Sequence, residues 1–148
     1  MGGDVGRAVA LLCLAALFTA RAAHSQSPGP PDVAPSVTMT CERIEQPGRV
    51  RCEVEARAPA PVPATASVIR WGDVEIIQVP AFVVTLKGRI GPRDATTREP
   101  DVWRWAFALA AREKGSGDVS ARVRLVTCKG ERCATRIVPV SARVVVGE

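Results

Sequence analysis

The chain contains no Asn, no Tyr, a single His, and only three Phe and three Trp among 148 residues. Each scarcity removes a class of chemistry. Without Asn there is no N-glycosylation sequon. With His24 as the only imidazole, set in a Pro- and Ser-rich stretch, a serine-type triad lacks its base. A histidine-bearing zinc site lacks its ligands for the same reason. No Gly-rich phosphate loop occurs, so no nucleotide cofactor is implied. No apolar run reaches the roughly 20 residues that span a bilayer, so no stable membrane insertion is expected.

What abounds is Arg, which supplies seventeen of the twenty basic residues and leaves a formal charge of +5. The arginines alternate with apolar residues instead of running together, and no aromatic stacking motif accompanies them. That pattern reads as the solvated face of strands and not as a nucleic-acid surface. The skew toward Arg with no Asn is the signature of a GC-rich, bacterial-type genome.

Arg7 precedes an apolar run of 13 residues, Ala8 to Ala20, and Ala20-Arg21-Ala22 forms an A-x-A cleavage pattern. Residues 1–22 therefore read as a secretory signal peptide, with mature protein beginning at Ala23 in the periplasm or outside the cell. Cys13 leaves with the signal, because Leu12 stands where a lipoprotein needs a small residue. Four cysteines remain: Cys41, Cys52, Cys128 and Cys133. An even set in a small exported chain implies disulfides. Neither local pair has the C-x₂-C spacing of a zinc site, so no metal is expected.

Residues 23–36 are rich in Pro, Ser and Gly and read as a disordered lead. The single domain expected over 37–148 is all-β. Val37 to Ile44 and Arg49 to Ala56 alternate with period 2 across Gln46-Pro47-Gly48. Apolar segments follow at Ala66–Trp71, Val74–Val79 and Ala81–Ile90, then a polar loop from Gly91 to Pro100. Asp101 to Lys114 is ambiguous. Asp101 and Gly115 could bound a helix, whereas Trp103, Trp105, Phe107, Leu109 and Ala111 alternate as a strand with one aromatic face. Lys114-Gly-Ser-Gly-Asp118 reads as a hairpin loop into Val119 and favours the strand. About seven short strands separated by turn signals argue for an immunoglobulin-like antiparallel β-sandwich.

The cysteines fix two registers. Directly opposed residues of an antiparallel pair share a face. Pairing Cys41 with Cys52 sets Val37 against Ala56 and Met39 against Val54 on the cysteine face, so this disulfide points into the core. Pairing Cys128 with Cys133 sets Val123 against Val138, Ala121 against Val140 and Val119 against Ala142. The second disulfide then falls on the opposite face, with Arg122 and Arg124. Gly130-Glu131 become the centre of a type II′ turn. An outward-facing pair at a hairpin tip is expected, with Lys129 and Arg132 near enough to favour a thiolate.

Strand, Cys128, four residues, Cys133, strand, at the end of an exported sandwich, resembles the N-terminal periplasmic domain of DsbD-type thiol–disulfide reductases. The resemblance covers residues 100 to 146. It departs from the family at Ala134-Thr135, where prolines are usual. It implies that Cys128 and Cys133 form a redox pair served by a thioredoxin-like partner, and nothing about other residues.

Two further groups carry a functional and a bland reading. Asp73 and Glu75 share a strand face, as a carboxylate pair or calcium ligands would, but read better as solvated strand charges. Trp103, Trp105 and Phe107 suit a carbohydrate-stacking stripe, but read better as a buried face. The function expected is a small exported non-enzymatic module, structural or binding, acting on a protein or envelope component. The alternative is a periplasmic thiol–disulfide relay through Cys128 and Cys133.

Overall fold

Alternating Val and charged residues along Arg49–Arg57 produce a strand with one dry face. Val50, Cys52, Val54 and Ala56 are fully buried, while Arg49, Arg51, Glu53 and Arg57 are exposed. The same period-2 logic operates throughout a computed structural model that describes residues 33–59 and 66–147. The expected signal peptide with Cys13, the expected lead up to Asp32 with His24, and residues 60–65 lie outside the described residues. Among the described residues no helix is long and apolar enough to cross a membrane.

The strands are β1 (Ser36–Cys41), β2 (Arg49–Arg57), β3 (Ser67–Gln78), β4 (Val83–Thr85), β5 (Arg89–Ile90), β6 (Ala95–Arg98), β7 (Val102–Ala111), β8 (Gly115–Lys129) and β9 (Arg132–Val146). One sheet runs β1-β2-β7-β4, with β6 also on β7; the other runs β5-β3-β8-β9. All of these pairings are antiparallel. In immunoglobulin terms β1, β2, β7 and β6 stand where A, B, E and D do. β3, β8 and β9 stand where C, F and G do, with β5 as a short C′. The fold is an all-β, immunoglobulin-like antiparallel sandwich.

Asp101–Lys114 resolves as strand β7. Trp103, Trp105, Phe107, Leu109 and Ala111 all face inward, and Arg104 faces out. The aromatic stripe is thus core. Trp103 and Trp105 pack with centroids 5.7 Å apart at 48°. The Trp105 indole N–H donates to the Gly91 carbonyl at 3.2 Å, so the ring is buried without orphaning its donor. Across the core β8 presents Val119, Ala121, Val123 and Leu125.

Three details differ from the sequence reading. The strand count among the described residues is nine rather than about seven, because Ala81–Ile90 changes sheets and splits into β4 and β5, and the polar loop contributes β6. Segments 66–71 and 74–79 are one strand, β3, running straight through Gly72. That glycine lies beneath Trp105, where a Cβ would meet ring carbons at 2.9 Å. Finally, Gly115–Asp118 is not a hairpin loop but the start of β8, paired with Val146–Arg143. The chain crosses between sheets there, because the apolar faces of β7 and β8 must meet. Gly115 and Gly117 sit under the Phe82 and Pro80 rings, at ideal-Cβ distances of 3.0 and 2.8 Å.

Candidate functional site

Both disulfides form, Cys41–Cys52 and Cys128–Cys133, each with Cα atoms 4.0 Å apart. Both occupy non-hydrogen-bonded rungs, where opposed Cα atoms approach most closely. For Cys41–Cys52 this follows from the next rung, where the Glu42 N–H donates to the Arg51 carbonyl at 2.8 Å. For Cys128–Cys133 it follows from the turn. Lys129 and Arg132 are the rung flanking a two-residue loop. Gly130 has φ +59°, and no residue other than glycine has positive φ among the described residues. Glu131 is therefore at negative φ and the turn is type II′.

The registers are those expected from the sequence: Val37 opposite Ala56, Met39 opposite Val54, Val123 opposite Val138 and Val119 opposite Ala142. Cys52 is fully buried beside Phe107 on β7, and Cys41 is half-buried against the same core.

The second pair departs from expectation in one respect. Cys133 is exposed, but Cys128 is only 4 % exposed. The reason is strand position. β8 is an inner strand, and Cys128 is flanked by Val68 of β3 and Cys133 of β9. β9 is the edge of its sheet, so among the described residues Cys133 has no hydrogen-bonded strand on its far side. The disulfide therefore offers one accessible end. A hollow of about 300 Å³ opens beside it, bounded by Val33, Pro35, Pro59, Lys129 and Arg132. The chemistry available is thiol–disulfide exchange, with attack at Cys133 and Cys128 as the leaving sulfur.

The carboxylate pair does not behave as solvated charge. Asp73 is 4 % exposed and is gripped by Arg89 at 2.8 Å and Arg124 at 2.9 Å. Arg124 also lies over the Trp71 ring, 5.1 Å from its centroid. The hydrogen bond that Arg124 donates to Asp73, with that carboxylate's charge, raises the Arg124 pKa above its ordinary value. Glu75 pairs with Arg122 at 3.3 Å. Arginines fill the coordination that a cation would need, and no cluster of three or more metal-ligating side chains occurs among the described residues. Sequence reasoning missed Arg89 and Arg124 as partners of Asp73, and Trp71 as the ring beneath Arg124. The pairing of β3 with β8 is uniform from Trp71 to Ile76 and sets Asp73 opposite Arg124, but nothing along β3 itself says which strand lies beside it.

On the outer face of the other sheet Glu55 bridges Arg104 and Arg57, both at 2.6 Å. The Arg104 hydrogen bond holds the Glu55 carboxyl below its ordinary value, with Arg57 adding and burial opposing. Arg51 pairs with Glu53 at 2.6 Å. The alternating charges read from the sequence thus form ion pairs with one another.

No family model matches the chain and no curated protein matches it. Among solved structures it aligns with AggA, the major subunit of aggregative adherence fimbriae type I from Escherichia coli. That alignment covers 77 % of this chain and 96 % of AggA, at 9 % identity and a TM-score of 0.38. So low a score carries no argument, and the fold assignment rests on the strand order itself.

Proposed function

We propose that the chain is a small exported, non-enzymatic module with a structural or binding role, stapled by its two disulfides. One observation supports it above others: each disulfide fastens an edge strand to its inner neighbour. Cys41–Cys52 ties edge β1 to β2, and Cys128–Cys133 ties edge β9 to β8. An open edge is where a sheet frays or pairs wrongly. The remaining edges, β4, β5 and β6, are only 3, 2 and 4 residues long and carry no staple. Export is supported by the leader pattern read in the sequence of residues 1–22 and by disulfides in a domain of this size.

A second reading, the thiol–disulfide relay suggested by the DsbD-type resemblance, draws support from the exposure of Cys133. In that reaction a thiolate attacks Cys133 Sγ, forms a mixed disulfide and expels Cys128 as thiolate. Burial works against it, because a thiolate at the Cys128 position would form in a desolvated site beside Val68. Titrating the pair against glutathione and dithiothreitol buffers, with thiol trapping and mass spectrometry, separates the readings. The expected potential lies below about −300 mV, in the structural range; a value near about −270 mV, that of thioredoxin, would favour the relay instead.

A further inference from the structure

The module reading leaves open what is bound, and the outward face of β9 addresses that. Side chains alternate along a strand, so Cys133, Thr135, Ile137, Pro139 and Ser141 point away from the core. None of the five carries a charge. On β2, by contrast, every outward position from Arg49 to Arg57 does. The neighbouring β8 supplies Arg122 and Arg124 to the same face as Ile137, but both turn toward β3, where Glu75 and Asp73 bind them at 3.3 and 2.9 Å. Trp71, the aromatic ring of this face, lies beneath Arg124. The groups that would recognise an anion or a sugar ring are thus already engaged. What β9 offers is a neutral surface of methyl, ring and hydroxyl groups.

That surface is not flat. Ile137 stands out from it, 62 % exposed. Farther along the strand lies a trough of about 580 Å³, walled by Ile77, Ser120, Arg122, Pro139, Val140 and Ser141. Ile77 is itself 48 % exposed. Ser141, at the far wall, is four residues or about 13 Å along β9 from Ile137. Knob and hole therefore sit side by side on one face.

We propose that two copies of the chain associate through this face, with Ile137 of each seated in the Ile77–Pro139 trough of the other. A knob beside a hole is self-complementary about a two-fold axis that lies in the interface and crosses β9 between them. Such a contact closes on itself and yields a dimer, not a filament. Near the axis Arg122 approaches its counterpart, but each brings its own Glu75, so no bare charge opposes another. The contact removes from water two isoleucines of each copy that are exposed in the single chain. Its extent is that of a small, transient interface, with a dissociation constant of about 0.1–1 mM. The inference rests on the module reading and gives that module its partner.

Sedimentation velocity of the chain purified after export, from about 10 µM to about 2 mM, tests it. The mass should rise from one chain toward two. Ile137→Glu drives a charge into the trough and should weaken association about tenfold or more. Ile77→Ser, made from the trough side, should weaken it in the same direction. Thr38→Glu puts an equal charge on the outward face of the other sheet and should change nothing. Both isoleucines are exposed, so each variant should melt with the parent at low concentration, and if one unfolds the other decides. A monomer at every concentration would overturn the proposal. So would a dimer that keeps its affinity in the isoleucine variants, or one that is lost in Thr38→Glu. Mass that climbs past two chains refutes it as well, since a closed contact stops there. A monomer beside a structural-range disulfide potential removes the dimer and leaves the staple reading standing.

Discussion

Gly72→Ala tests the tightest contact between the two sheets. Gly72 lies opposite Leu125 on β8, and an ideal Cβ there would sit 2.9 Å from Trp105 Cζ2 and Cη2 and 3.0 Å from Leu125 Cδ2. Trp105 and Leu125 are both fully buried, so neither ring nor methyl can retreat without displacing its neighbours. Two effects of opposite sign compete. Gly72 is not in the left-handed region, so Ala restricts the unfolded chain and gains about 0.4–1 kcal/mol. Forcing a methyl into a filled core costs about 1–3 kcal/mol. Overpacking should win by about 1–2 kcal/mol, or several degrees in Tm for a domain of this size. Urea denaturation of Gly72→Ala measures the loss, and a second background isolates its cause. Trp105→Phe deletes the two clashing ring carbons, along with the bond to the Gly91 carbonyl, and is itself destabilising. In that background Gly72→Ala should be neutral or stabilising, a coupling of about 1 kcal/mol or more in the relieving direction. An Ala that stabilises the parent, or that costs the same in both backgrounds, would refute the contact as the reason for this glycine.

Replacing both Cys41 and Cys52 with Ser should lower stability by about 3 kcal/mol from loop closure alone, since the bridged residues are 11 apart. The hydroxyl at fully buried position 52 adds to that loss. An unchanged thermal midpoint would mean that the crosslink restrains nothing. Glu55 supplies a pH test with a definite sign. Its carboxyl is held below its ordinary 4.5, first by the Arg104 hydrogen bond, so its contribution is present above 4.5 and is lost as pH falls through the lower folded value. Glu55→Gln should therefore flatten the stability profile below pH 4.5, by a few tenths of a kcal/mol for so superficial a group. A profile identical to the parent's would count against the Glu55–Arg104 pair.

Most of the fold was legible where a covalent or periodic constraint acted along a single strand pair. The cysteines pinned the β1–β2 and β8–β9 registers to the residue, and the alternating aromatics of β7 announced its buried face. What escaped was information about neighbours. Alternation says which way a side chain points but not which strand lies beside it. So Asp73 read as a solvated charge until β5 and β8 placed Arg89 and Arg124 around it. Cys128 read as exposed for the same reason, since its face is outward but its strand is an inner one. Gly115–Asp118 looked like a turn because glycines usually make turns, whereas here they make room for Phe82 and Pro80. The continuity of β3 through Gly72 was hidden likewise, the reason for the glycine being a tryptophan on the other sheet.

The position of the second disulfide explains how the exposed end of an edge strand is held in place. β9 is secured at its far end by burial of Val144, Val145 and Val146 and by the bridge to Ile44. Along its middle, Val140 and Ala142 pack partly against the core. Its near end, Arg132 to Ile137, buries no side chain, and ladder bonds to β8 alone would leave it prone to fray. Cys128–Cys133 closes that end at the rung next to the turn, anchored through the buried Cys128. The crosslink thus holds the near end of an edge strand extended against its inner neighbour. Reduction of Cys128–Cys133 should consequently leave the core of the sandwich intact, since Val119, Ala121 and Val123 lie on the other face, while raising amide exchange at Lys129 and Arg132 and along Ala134 to Arg136. Uniform protection across β9 after reduction would show that the ladder alone suffices and that the staple serves some other end.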